Sequence, residues 1–197
     1  MKARENPFRS TRVRSAIRYA APHDDPDDSR SGALALLPRL TPLRHRAAIV
    51  GPHGSGKTTL LEDLAHVLAG RGFRIIWLRL DTDAPRLPRD WGEHAGRLGD
   101  GDIVCLDGAE QLDPIGWARV RWRTRRTTGL IVTTHRPGRL PTLTTCTTSP
   151  ALLARIIRRL APDGPAAAAP VAALFDRHHG NVREALRELY DVCATAS

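Results

Sequence analysis

One stretch constrains this chain more than any other: residues 47 to 61, AAIVGPHGSGKTTLL, where an apolar run meets a glycine-rich loop and then a helix-forming segment. Gly51, Gly56, Lys57 and Thr58 fit the spacing G-x-x-x-x-G-K-[ST] of a Walker A loop. Its flanks are those the pattern needs, with a strand candidate at Ala47 to Val50 before it and an amphipathic run after it. Glycines let the backbone take conformations a Cβ would forbid, so successive N–H groups can turn onto phosphate oxygens at a helix N-terminus. The candidate nucleotide contacts are therefore Gly51, Pro52, His53, Gly54, Ser55, Gly56, Lys57, Thr58 and Thr59. Lys57 brings a point charge for the β- and γ-phosphates, and the Thr58 hydroxyl is placed to hold Mg²⁺. Of 30 basic residues only Lys2 and Lys57 are lysines. Coding bias explains the arginine excess, yet the one internal lysine stands where a compact ammonium is wanted and a guanidinium fork would fit poorly.

At 197 residues the chain is one modest domain with room for a small appendage, and its 41% hydrophobic content suits a folded protein. No run approaches 18 apolar residues and the N-terminus lacks an apolar h-region, so neither a membrane span nor a signal peptide is expected and cytoplasm is the default. Cys105, Cys146 and Cys193 are widely spaced in apolar surroundings, which suits reduced thiols better than a disulfide or zinc framework. A net charge of +9 leaves an anionic partner such as nucleic acid open, although no zinc-finger or RNP-type aromatic pattern supports one.

Taken in order, residues 1 to 32 mix Arg-rich and Asp-rich pieces and are expected to be a flexible segment, with Phe8 as an N-terminal anchor or a cover for the nucleotide base. A short helix is expected at Ala33 to Leu37. The helix after the loop spans Lys57 to Ala69, with Leu60, Leu61, Leu64, Val67 and Leu68 inward and Gly70 or Gly72 at its end. Arg74 to Leu80 reads as a buried strand, and Asp81 to Gly101 as loop with a helical turn anchored by Trp91. Ile103 to Leu106 is a third strand that runs into Asp107, a carboxylate at the edge where ligands bind in parallel sheets and a second Mg²⁺ ligand. Asp113-Pro114 reads as N-cap and N1 of a helix lasting to about Thr127, with Gly129 past its end. Ile115, Ala118 and Trp122 share one face of that helix, although its arginines at 119, 121, 123 and 125 alternate with strand period.

Leu130 to Thr134 is a fourth strand, and a polar Thr134 or His135 at its end would lie beside Asp107 if the strands are adjacent, to position a water or sense the γ-phosphate. A fifth short strand is expected near Leu143 to Cys146. From Ser149 the pattern is helical: Leu152 to Leu160, a low-complexity linker at Ala166 to Ala169, Val171 to Phe175, and a last helix capped by Asn181 with Glu184 completing a capping box. The division is thus 1–32 flexible, 33–148 an α/β core and 149–197 a small helical appendage. The fold class is α/β: a parallel-sheet P-loop NTPase of three αβα layers with a C-terminal helical lid.

GPHGSGKTT, IVCLDGAEQL and HGNVREAL at 179 to 186 together resemble the AAA+ ATPases of the additional-strand P-loop class. From about Ala47 to Tyr190 the chain is similar to small stand-alone AAA+ proteins of the transposition and secretion-ATPase type, including their Asn-Pro-Phe start at Asn6. The resemblance implies a Walker B role for Asp107 and a sensor-2 role for Arg183, whose guanidinium would approach the γ-phosphate when the lid closes. The family has Asp-Glu where this chain has Asp107-Gly108, so the glutamate that orients the attacking water is missing from its place. Glu110 replaces it only if the turn after Asp107 brings it round. Arg123, Arg125, Arg126 and Arg136 are available as an arginine finger.

The leading reading is an ATP-binding, ATP-hydrolysing protein whose lid position follows nucleotide state and acts on another macromolecule: a protein partner, a second copy, or nucleic acid. Its catalytic set would be Lys57, Asp107, Glu110, Thr134, His135 and Arg183, with ATP and Mg²⁺ bound. A nucleotide or small-molecule kinase, an ABC-like ATPase lacking its signature motif, and a nucleotide-dependent switch with little turnover are the alternatives.

Overall fold

A computed structural model of the chain describes residues 31–81, 85–161 and 170–195. The expected N-terminal segment to residue 30, with Phe8 and the Asn-Pro-Phe start, and the linker at 166–169 lie outside the described residues. The chain divides into two compact units, one built from residues 31–51 and 60–145, the other from 52–59 with 146–161 and 170–195.

The first unit is a five-stranded sheet, ordered β2-β3-β4-β1-β5, with every neighbouring pair parallel. Its strands are β1 (Arg46–Val50), β2 (Arg74–Arg79), β3 (Asp102–Asp107), β4 (Gly129–Thr134) and β5 (Thr142–Thr145). Parallel strands need crossovers, and the helices α2 (Lys57–Ala69), α3 (Trp91–Gly96) and α4 (Pro114–Arg123) supply those from β1 to β2, β2 to β3 and β3 to β4, while α1 (Ser31–Leu40) precedes the sheet. The three central strands are near-continuous apolar runs because both their faces are covered. Ala48, Val50, Val104, Leu106, Leu130 and Val132 pack on one face with Trp91, Ala95, Leu112 and Val120, while Ala47, Ile49, Ile103, Cys105 and Ile131 are equally buried on the other. Burial pushes the Cys105 thiol up to about 12, so it behaves as a small hydrophobe.

Several local expectations need correction. RIIWLRL is an edge strand, not a buried one: only Leu78 is buried within β2, and Trp77 is 38% exposed with the Arg79 guanidinium 4.9 Å from its ring centroid. Periodicity cannot separate an apolar edge strand from a central one. Asp113 does cap α4, accepting from the Gly116 N–H at 2.6 Å, but the α-helix stops at Arg123 and tightens into a 3₁₀ turn at Thr124–Arg126. Gly129 opens β4 instead of closing the helix; a Cβ there would run into His45, 2.6 Å from its own Cβ. The first helix is longer than expected at both ends and contains Pro38.

The second unit's helices are α5 (Pro150–Leu160), α6 (Val171–Arg177) and α7 (Val182–Thr195), packed around Leu153, Ile157, Leu174, Ala185, Leu186 and Leu189. Ser149 caps α5 through the Leu152 N–H at 3.1 Å. Asn181 caps α7 through the Glu184 N–H at 3.3 Å, while its own N–H donates to the His178 carbonyl. The expected capping box is therefore half formed.

Candidate functional site

In the sheet unit, the site grows from one edge. Pairing sets Val50 opposite Thr134, Ile49 opposite Thr133 and Leu106 opposite Val132, so Asp107 ends β3 level with Thr133, two residues short of where β1 gives way to the loop. The Gly51 N–H continues the ladder to the Thr134 carbonyl at 3.1 Å. Asp107 and the strand feeding the loop thus meet the same sheet edge with only β4 between them.

Thr133 is the residue beside Asp107. Its hydroxyl donates to Asp107 Oδ1 at 2.6 Å and accepts from the Gly108 N–H at 2.9 Å. Thr134, the expected neighbour, is buried but spends its hydroxyl on the Arg136 carbonyl at 3.1 Å. The parity of a strand decides between adjacent threonines, and only the register fixes that parity. Had β3 and β4 been aligned at the outset, the same-face rule would have picked Thr133.

Gly108 explains the missing glutamate. Its φ of 85° is left-handed and a Cβ there would collide with the Leu80 carbonyl oxygen, so no side chain fits directly after Asp107. The 3₁₀ turn Ala109–Gln111 that Gly108 initiates carries Glu110 round to His135, whose Nε2 lies 3.0 Å from Glu110 Oε1. Glu110 Oε2 is buried with no hydrogen-bond partner among the described residues. A carboxylate oxygen of this kind keeps its lone pairs for a water or a proton donor.

In the helical unit, the loop from Pro52 to Thr59 keeps its acceptor-hungry groups together. Lys57 is buried, and its Nζ donates to the Pro52 carbonyl at 2.7 Å; Ser55 Oγ donates to the same oxygen at 2.9 Å. Gly54 and Gly56 have φ of 70° and 86°, the turn that aims backbone N–H groups into a concavity. Among the described residues nothing lies within 4 Å of the position a Gly56 Cβ would take, whereas a Gly54 Cβ would strike the Asn181 side chain and lie 3.1 Å from the Arg183 nitrogen. The loop therefore abuts the first turn of α7, which is why it groups with the C-terminal helices and not with the sheet unit. Pro52, His53 and the Arg183 side chain are exposed, and Thr58 and Thr59 are half-buried. Cys146, just past β5, is buried; its thiol is pushed up to about 11 by burial, with Lys57 pulling the other way.

These residues fit a magnesium nucleotide. A glycine cradle that no described atom fills at Gly56, a buried lysine and a helix N-terminus suit phosphates, and the Thr58 hydroxyl, like the Asp107 carboxylate in the sheet unit, is a hard oxygen donor of the kind a magnesium ion takes.

Sheet order, strand-edge aspartate and glycine loop are those of an α/β P-loop fold. The same fold occurs in RuvB from Thermotoga maritima, which matches at 20% identity and a TM-score of 0.56 over 83% of this chain and 60% of that one. The replication initiator DnaA, solved with AMPPCP and single-stranded DNA, matches at 16% and 0.56 over 80% and 57%, and Drosophila ORC bound to DNA at 14% and 0.55 over 93% and 60%. All three are AAA+ ATPases, and at these identities the likeness is one of fold. The chain spans about 60% of the length of the RuvB chains it matches. No protein-family model and no curated protein matches the sequence. Among the described residues no helix is long and apolar enough to cross a membrane.

Proposed function

We propose that the chain binds ATP with Mg²⁺ on the loop between β1 and α2 and hydrolyses it, its nucleotide state setting the position of a C-terminal lid that acts on another macromolecule. The observation that carries this reading is the Gly108 turn. It leaves Asp107 at the sheet edge on the Thr133 hydroxyl and delivers Glu110, with one orphaned oxygen, to the same edge.

Bound magnesium would neutralise charge on the phosphates, with Thr58 and Asp107 as its protein ligands. Lys57 exchanges the Pro52 carbonyl for a phosphate oxygen. Glu110 Oε2 orients a water and takes its proton, while His135 fixes the carboxylate through the other oxygen. Arg183, at the second position of α7, reaches for the terminal phosphate. Because Gly54 touches Asn181 and the Arg183 backbone, a change in the loop on binding is felt at once in that first turn. On this reading 33–148 is the catalytic core, 149–197 the lid, and the compartment cytoplasmic. DnaA and ORC, each solved with DNA, make nucleic acid a candidate for the macromolecule.

One observation favours a second reading, a switch with slow turnover. Glu110 already engages His135, so one of its two oxygens is occupied and the carboxylate is held in place.

Phosphate release from Mg·ATP without an added acceptor tests the proposal. Lys57→Ala should lower turnover about 100-fold or more, and Glu110→Gln should do the same while leaving ATP binding intact. Tight ATP binding without turnover would move the assignment to the switch. ADP formed only when an acceptor is supplied would move it to a kinase.

A further inference from the structure

Helix α4 and the turn after it carry a surface that neither the fold nor the nucleotide reading uses. Between Pro114 and Ala161 the sequence has ten arginines and no aspartate or glutamate, which leaves 20 basic against 21 acidic residues for the rest of the chain. Five of the ten, at 119, 121, 123, 125 and 126, fall on α4 and its 3₁₀ turn. None of these five takes part in an ion pair among the described residues. Such a concentration of unneutralised charge raises the local potential and attracts a polyanion.

An exposed aromatic sits in the middle of it. Ile115, Ala118 and Trp122, spaced like a core face, point outward, with Ile115 64% and Trp122 56% exposed, because α4 buries Val120 instead. The guanidinium carbons of Arg123 and Arg125 lie 4.9 and 4.5 Å from the Trp122 ring centroid. The turn beneath is fixed. Thr124 is fully buried and its hydroxyl donates to the Val120 carbonyl at 2.9 Å; the Thr127 hydroxyl lies within donating distance of the Thr124 and Gly129 carbonyls, and Arg46 donates to the Thr124 carbonyl as well. The charges are presented on a preorganised base, so little ordering is left for binding to impose.

We propose that this face binds single-stranded nucleic acid, its phosphates taken by Arg119, Arg121, Arg125 and Arg126 and one base stacked on Trp122. Guanidinium groups interleaved with an aromatic match the alternation of phosphate and base along an unpaired strand. A duplex offers the phosphates but hides the base faces. The proposal stands on α4 and its turn and does not rest on the nucleotide reading.

Fluorescence anisotropy of the full chain with a labelled oligonucleotide of about 20 nucleotides, its duplex and inorganic polyphosphate tests it across a salt series. The single strand should bind several-fold more tightly than either control. Trp122→Ala should weaken it about 5- to 100-fold and Trp122→Phe much less. Arg119→Glu should weaken binding and lower the salt slope by about one or more. Both positions are exposed, so the thermal midpoint and oligonucleotide-free phosphate release should be unchanged, which separates loss of this surface from loss of fold or of the nucleotide site. Equal affinity for polyphosphate or duplex, indifferent to Trp122→Ala, would overturn the proposal in favour of charge alone. Failure to bind at low salt, or self-association abolished by Trp122→Ala, would overturn it in favour of a protein interface.

Discussion

Strand β3 begins and ends with an aspartate, and the two are treated oppositely. Asp102 is 2% exposed and fully engaged, accepting from Arg74 Nε at 2.6 Å, from Arg74 Nη2 at 2.7 Å and from the Gly99 N–H at 2.8 Å. The Arg74 fork holds its carboxyl below the usual carboxylate range, although burial opposes this. Asp107, at the other end, receives a neutral hydroxyl from Thr133. A guanidinium brings a charge to its hydrogen bonds with a carboxylate; a hydroxyl brings direction alone. On the proposed function, one strand has an end that holds β2 to β3 and an end that meets a ligand. The sheet's direction decides which is which, since the carboxyl edge of parallel strands is where ligands bind.

The sharpest way to break this contrast is to neutralise each carboxylate in turn. Asp107→Asn should lower ATP turnover about 100-fold or more and shift stability by less than about 1 kcal/mol, read by phosphate release and urea denaturation. If Asp107→Asn kept full turnover, the carboxylate would have no part in the chemistry. Thr133→Val removes the aiming hydroxyl at nearly constant shape. It should cost about 1–3 kcal/mol, since the Gly108 N–H is left without its acceptor, and should slow turnover about tenfold at unchanged charge. A turnover loss as large as that of Asp107→Asn would mean the hydroxyl does more than position. In the mirror experiment, Asp102→Asn should leave turnover per folded molecule intact.

Much of this was legible because it follows from short-range rules. The glycine loop between strand and helix, the strand running into Asp107 and the Asp113 cap are set by residue type and spacing, and the five-stranded α/β sheet forms as those runs require. What was not legible depends on partners distant in sequence. Thr133 outranks Thr134 only through register with β3, and among the described residues β2 is an edge strand because its one pairing partner is β3. Gly108 read as a departure from the family pattern; the Leu80 carbonyl packed against it, 28 residues earlier in the chain, turns the departure into a steric requirement. The outward face of α4 was hidden for the same reason, since helical spacing gives the stripe but not which way it points.

The smallest expected effect is also the one that isolates Asp102. Its folded-state pKa lies below the unfolded value of about 3.9, so its contribution is present in full above that value and is lost as pH falls through the folded pKa. Arg74 is 64% exposed and water screens the pair, so its contribution is that of a screened pair and not of a fully buried one. Denaturation midpoints of the parent chain and Asp102→Asn should therefore differ most near neutral pH and converge as the solution is acidified below about pH 4. A gap that stayed constant down to the acid end would mean that shape, not charge, holds this end of the strand. The two ends of β3 would then differ only in what Asp107 does.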